Sequence, residues 1–230
     1  MRPEGSVTSA PLRAETVIFD VDGTLVDSAA DIHAALNHGL ALAGSGPVDF
    51  EAARRLIGLG LERSVEKVLM DRGFRIEDAE LVCIKSACTS YYDAYLLERT
   101  CLYAGVAETL KLLHNAGTKL GICTNKRAES TRRILSGLGI LNHFGVIIAR
   151  ESVPQGKPHP APLLAAIEAL QGHHSRAAMV GDTLADMQCA RAARVTAIAV
   201  SYGYNDLPVS DLGADTSVDD FSELVSVLRP

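Results

Sequence analysis

The 230-residue sequence has no apolar run approaching the roughly 20 residues that a membrane-crossing helix needs, and its opening MRPEGSVTSAPLRAE holds no apolar stretch of the signal-peptide kind. No membrane role is expected, and the chain is expected to stay in the cytoplasm where it is made. Positive charge is also scarce. With 22 Lys and Arg against 28 Asp and Glu the formal net charge is -6, so the overall field repels polyanions and no nucleic-acid partner is expected. The five cysteines, Cys83, Cys88, Cys101, Cys123 and Cys189, are odd in number and show no CxxC spacing, which argues against a zinc site and a complete disulfide framework. Each is expected to be a small buried apolar residue in a reducing compartment. Internal repeats and low-complexity segments are missing too. What remains is 47% hydrophobic and 22% charged, the balance of a soluble globular protein with one domain or one domain plus a smaller insert.

After a polar leader over residues 1–14, Thr16 to Asp20 is a short apolar, β-branched run ending at acidic residues and glycine, the mark of a buried strand. Similar runs recur at residues 119–124, 144–149, 177–180 and 195–200, with helix-like stretches at 106–116, 128–138, 160–170 and 185–193 between them. Alternating helices and unbroken apolar strands predict an α/β fold, a parallel sheet with helices on both faces. Residues 27–101 break the rhythm: Ile32, Leu36 and Leu40, then Val65, Val68 and Leu69, then Leu81, Ile84 and Ala87 have helical spacing, and no strand pattern intervenes. The reading is a small all-helical insert between the first two strands of a core formed by 15–26 and 102–230, with hinges near Asp27 and Leu102 to Gly105 and a last amphipathic helix at 219–228. Such an insert sits above the carboxyl ends of the strands, where open α/β sheets bind ligands.

The chemistry gathers at those ends. The first strand runs into Asp20-Val-Asp22-Gly23-Thr24, and the turn marked by Gly23 lets both acids project into one pocket. The fourth runs into Gly181-Asp182-Thr183-Leu-Ala-Asp186, where a helix starting at Thr183 sets Asp182 and Asp186 about one turn apart. Two carboxylates about 4 Å apart repel by about 4 kcal/mol at an effective dielectric of 20, so a cluster of them calls for a cation or a proton. Oxygen ligands without His or Cys select a hard cation, and a few carboxylates with room for water and phosphate suit Mg²⁺. The second strand ends in Thr124-Asn125-Lys126, whose hydroxyl and amide near a helix start suit phosphoryl oxygens. Lys157, held extended by Pro158, aims an ammonium at the same pocket.

In this order the residues resemble the haloacid dehalogenase superfamily, whose four motifs match Asp20 to Thr24, Thr124, Lys157 and Gly181 to Asp186. The resemblance implies a Rossmann-like core with a helical cap, Asp20 as nucleophile, Asp22 as general acid and base, Thr124 and Lys157 as phosphoryl ligands, and the last acid pair at Mg²⁺. Asp20, Asp22 and Asp182 are taken as metal ligands, Asp186 as the residue that orders Lys157 or water around the ion, and Asn125 as a further phosphate ligand. Dehalogenase members lack the second Asp of the first motif, so Asp22 points to phosphoryl transfer.

A narrower resemblance covers Ile57 to Leu61, His159 to Leu170, Gly181 to Val195 and Val200 to Asn205, which look like phosphoglycolate phosphatases. It implies a small carboxylated phosphate ester as substrate, for which Gly58 and Gly60 offer close backbone approach and Arg54 or Arg55 a carboxylate partner. The family's sugar-phosphate mutases carry a catalytic His early in the cap, where this sequence has Ile32, with His33 one residue out of register. Mutase or pyrophosphatase chemistry, and a regulator that binds phosphorylated metabolites without turnover, stay open as alternatives. A monomer or homodimer is expected.

Overall fold

The computed structural model describes residues 12–205 and 207–229. Six parallel strands form the main sheet: β1 (Thr16–Phe19), β2 (Lys119–Cys123), β3 (Val146–Ile148), β4 (Ala177–Gly181), β5 (Thr196–Val200) and β6 (Thr216–Val218). Their spatial order is β3-β2-β1-β4-β5-β6, so the winding direction reverses between β1 and β4. Ligands of doubly wound sheets bind in the crevice outside the strand ends at this reversal. Both acid pairs of the sequence follow the two strands that flank it.

Alternation along each strand divides the core. Val17, Phe19, Leu120, Ile122, Val180 and Ile198 meet helices α5 (Val106–Asn115) and α6 (Ala128–Gly137) on one face, while Ile18, Met179, Ala197 and Ala199 meet α7 (Ala161–Ala169) and α8 (Leu184–Ala193) on the other. A side chain such as Phe19, wholly buried, contributes about 1.5–3 kcal/mol by leaving water.

Between β1 and β2 lie α1 (Ala29–Leu42), α2 (Phe50–Arg54), α3 (Leu61–Asp71) and α4 (Asp78–Tyr95), with a 3₁₀ turn at Ile57–Leu59. They enclose their own small core of Leu36, Leu40, Val65, Leu69, Ile84 and Cys88. The two connecting segments run side by side as antiparallel strands, Val26 opposite Leu102 and Asp27 opposite Cys101. Asp31 in the first turn of α1 fastens them further by accepting hydrogen bonds from the Arg99 and Thr100 amides and the Thr100 hydroxyl at 2.8–3.0 Å.

Three expectations change. The amphipathic C-terminal helix is only a 3₁₀ turn at Phe221–Glu223 and one turn of α9 (Leu224–Val227), because Asp220 is extended at its start and Leu228–Arg229 pair in parallel with Leu12–Arg13 at its end. That pairing also gives structure to the end of the polar leader, whose residues 1–11 lie outside the described residues. Cys88, Cys123 and Cys189 are buried, but Cys83 and Cys101 are exposed, on the outer side of α4 and in the connector. No helix among the described residues is long and apolar enough to cross a membrane.

The α1/α4 contact is close because Gly39 has no side chain: a Cβ there would overlap Cys88 Sγ, which donates to the Ala35 carbonyl at 3.2 Å. Gly39→Ala is expected to destabilise the protein by about 1–2 kcal/mol despite its better helix propensity, since overpacking of a closed interface outweighs that gain. Gly39→Ala with Cys88→Ala should recover most of the loss, as measured by urea unfolding.

Candidate active site

Asp20 is the residue after β1, and its amide donates to the Val180 carbonyl of β4 at 2.9 Å, which fixes the carboxylate at the sheet reversal. Asp182 follows β4 directly. Thr183 caps α8 and Asp186 is the third residue of that helix: the Asp186 amide donates to the Thr183 hydroxyl oxygen while the Thr183 amide and hydroxyl donate back to Asp186 Oδ2 at 3.0 and 2.6 Å. This reciprocal cap starts the helix and turns Asp186 inward toward Asp20 and Asp182. One oxygen from each of the three carboxylates lies within 4.8 Å of the others, and all three residues are buried.

Among the described residues, the positive charge in direct contact with this group is a single ammonium. Lys157 Nζ lies 2.8 Å from Asp20 Oδ1 and 2.6 Å from Asp186 Oδ1, with its side chain 2% exposed. Burial works against its positive charge, but Asp186 and Asp20 outweigh that and hold its pKa well above the ordinary lysine value. Burial pushes the Asp20 carboxyl up to about 6; Lys157 opposes the rise and Asp186 adds to it. Asp182 is also raised, by burial and by repulsion from Asp186 and Asp20, although its oxygens accept hydrogen bonds from the Thr24 hydroxyl at 2.9 Å and the Tyr204 amide at 2.8 Å. Three buried carboxylates facing one ammonium leave an excess of negative charge, and the donors are all oxygen. Both facts fit a hard divalent cation. Gly23, at φ +82°, permits the tight packing, since a Cβ there would collide with the Asp182 carboxylate.

Asp22 stands apart from this group. Its carboxylate accepts from Lys126 Nζ at 2.9 and 3.0 Å and from the Ser28 hydroxyl at 2.5 Å, so its side chain does not join the acidic cluster expected to hold metal. It lines, with Asp20, Thr124 and Asn125, a cleft of about 440 Å³ between the sheet end and the cap. Thr124 is buried, and its Oγ1 accepts from the Lys126 amide at 3.2 Å, which leaves the hydroxyl hydrogen for a ligand. Asn125 is differently employed than expected: its amide group donates to the carbonyls of Gly58 at 3.3 Å and Lys157 at 3.1 Å, tying cap, second motif and lysine loop together.

Gly58 and Gly60 do line the cleft, and Gly60, at φ +86°, brings the cap loop against the Asn125 carbonyl. Arg54 and Arg55 are not among the lining residues. Arg54 donates to the Gly203 carbonyl at 3.1 Å, approaches Glu51 at 3.6 Å and lies over the Tyr204 ring. Sequence reasoning passed over Lys126, Tyr92 and Tyr204. Lys126 stood in the Thr124-Asn125-Lys126 motif and Tyr204 in the Val200 to Asn205 stretch as signals without a role, whereas Tyr92 reaches the site from α4 with no local pattern to mark it.

The family model for haloacid dehalogenase-like hydrolases matches residues 17–200. Among curated relatives, a phosphoglycolate phosphatase of Agrobacterium fabrum is 35% identical over 222 residues, 96% of this chain and 95% of that protein. One from Cereibacter sphaeroides is 37% identical over 213 residues, covering 93% and 97%. A crystal structure described as a predicted phosphoglycolate phosphatase from Haemophilus somnus 129pt superposes with a TM-score of 0.87 at 28% identity, covering 94% of this chain and 98% of that one. The matched span runs from inside β1 to the end of β5 and so takes in every motif residue at the sheet reversal, and on it this chain belongs to the haloacid dehalogenase-like hydrolases.

Proposed function

We propose that the protein is a Mg²⁺-dependent phosphatase acting through an aspartyl-phosphate on Asp20, with a small carboxylated ester such as 2-phosphoglycolate as substrate. The observation that carries this reading is the separation of the two acids of the first motif: Asp20 is buried against Lys157 with Asp182 and Asp186 nearby, while Asp22 faces the cleft from another set of partners. A nucleophile and an acid/base two residues apart need different surroundings.

Asp20 attacks phosphorus; the ester P–O bond breaks, and Asp22 gives its proton to the departing alkoxide oxygen. In the second half Asp22 takes a proton from water as the water oxygen attacks phosphorus, and the bond between phosphorus and the Asp20 oxygen breaks to release phosphate. Lys157 and the Thr124 hydroxyl bind the phosphoryl oxygens, and Asp186 keeps Lys157 aimed. Asp20 and Asp182 hold Mg²⁺, which when bound offsets charge on the phosphoryl oxygens and lowers their repulsion from Asp20. The substrate class is supported by the names of the relatives and by a cleft sized for a small molecule. A mutase is disfavoured because Ile32 lines the cleft and no histidine does among the described residues; His33 turns to the Val48 carbonyl at 2.9 Å.

Asp20→Asn is expected to lower phosphate release from 2-phosphoglycolate by at least about four orders of magnitude while the circular dichroism spectrum stays that of the parent. Near-parental turnover would reject the nucleophile assignment.

The pH behaviour of the metal-free protein follows from the raised Asp20. Its folded-state pKa of about 6 lies above its ordinary value of 3.8, so the folded state holds this proton more tightly. The stability it contributes is complete below pH 3.8 and is lost as pH rises through 6. Unfolding in chelator should show this decline between pH 4 and 7, Asp20→Asn should lack that component, and Mg²⁺ should restore stability more at pH 7.5 than at pH 5 because it competes with the proton. Equal Mg²⁺ stabilisation at both pH values would contradict the assignment.

A further inference from the structure

The cleft contains a buried cation that the phosphoryl chemistry does not use. Lys126 Nζ sits 2.9 and 3.0 Å from the two Asp22 oxygens and 2.6 Å from the Tyr92 phenol oxygen, beneath the Tyr92 ring at 4.5 Å, with its side chain 7% exposed. It lies beside the acid, away from the ion pairs that Lys157 makes with Asp20 and Asp186. Because Asp22 addresses the oxygen of the leaving group, whatever is bonded to the carbon next to that oxygen must pass close to Nζ.

We propose that Lys126 is the specificity-determining residue for the leaving group, selecting phosphate esters that carry a carboxylate on the carbon attached to the ester oxygen. The inference rests on the phosphatase reading above and adds the part of the site that recognises the alcohol. In such a leaving group the carboxylate oxygens lie about 3 Å from the ester oxygen by ordinary bond lengths. With the ester oxygen within hydrogen-bond reach of Asp22, the carboxylate falls within reach of an ammonium that touches both Asp22 oxygens. A methyl or hydroxymethyl group at the same place offers this charge nothing.

Other cations of the cleft are less suited. Lys85 is paired with Glu66 at 2.5 Å and Arg127 with Asp93 at 3.2 Å. Arg63 is exposed and Arg150 half-buried at the wall, where solvent screens a pairing that burial would preserve for Lys126. Tyr92 makes the selection depend on the cap. It belongs to α4, yet its phenol oxygen is what fixes Nζ beside Asp22, so it acts as a positioning residue.

The test compares kcat/KM for 2-phosphoglycolate and for ethyl phosphate, which share the ester linkage and differ in carboxylate against methyl. The parent enzyme should prefer the former, and Lys126→Met should reduce the ratio of the two by about 100-fold, the loss of one charged hydrogen bond to substrate. Tyr92→Phe, which keeps the ring and is the more conservative change, should reduce the ratio several-fold, whereas Arg150→Ala should preserve it. A ratio kept within about threefold by folded Lys126→Met, or collapsed by Arg150→Ala instead, overturns the proposal. Should Lys126→Met not fold, an unchanged ratio in Tyr92→Phe overturns it equally. Release of phosphate from neither ester by the parent enzyme would instead bring down the phosphatase reading itself.

Discussion

The site is organised around one buried ammonium held between two buried carboxylates. Lys157 contacts Asp20 and Asp186 at under 3 Å, and neither acid nor base is exposed enough for water to share the charge. Pairs of this kind owe little to net Coulomb gain, since desolvation consumes most of it, but leaving one member alone is costly. The chain therefore has to bring β1, the loop before α7 and the first turn of α8 into fixed register. The parallel pairing of β1 with β4 sets the two strand ends, the reciprocal cap of the Thr183 and Asp186 side chains sets the start of α8, and the Asn125 amide holds the lysine loop through the Lys157 carbonyl.

Around that centre, contacts between core and cap are carried by a few side chains with two jobs each. Asn125 follows the strand that delivers Thr124, and it also holds the cap loop through the Gly58 carbonyl. The Tyr204 amide supports Asp182, while its phenol oxygen accepts from the Ser28 and Ala29 amides at the start of α1 at 2.6 and 3.1 Å and donates to Asp27 at 2.9 Å. Tyr92 reaches from α4 to the ammonium beside Asp22. The acidic cluster, Asp22 and the sheet end are thus each mechanically joined to the helical insert.

The parts of this arrangement that could be read from sequence are those written in short-range pattern. Five strands declared themselves through unbroken apolar runs, four of them buried on both faces and β3 half-buried at the sheet edge; β6 did not, because it is three residues long with one fully buried side chain, Val218. The insert was legible from helical spacing, and four motif segments from their position after strands. Side-chain partnership was not. Whether Asn125 faces a ligand or two carbonyls, and whether Arg54 points at the cleft or at Tyr204, depends on segments 32 or more residues away whose pairing with them has no local signature. The C-terminal segment misled for a related reason: Phe221, Leu224 and Leu228 are all buried and spaced like a helix face, yet the last is extended to pair with Leu12.

The pairing of Val26 and Asp27 with Leu102 and Cys101 sets the entrance and exit of the four-helix insert one strand spacing apart. A chain that leaves and returns at almost the same point imposes no span on the framework it interrupts, and here the visitor brings its own apolar interior. Such an attachment lets the lid be lengthened, trimmed or exchanged wholesale over evolutionary time while the catalytic floor keeps its register, so that new leaving groups can be accommodated without reinventing the reaction.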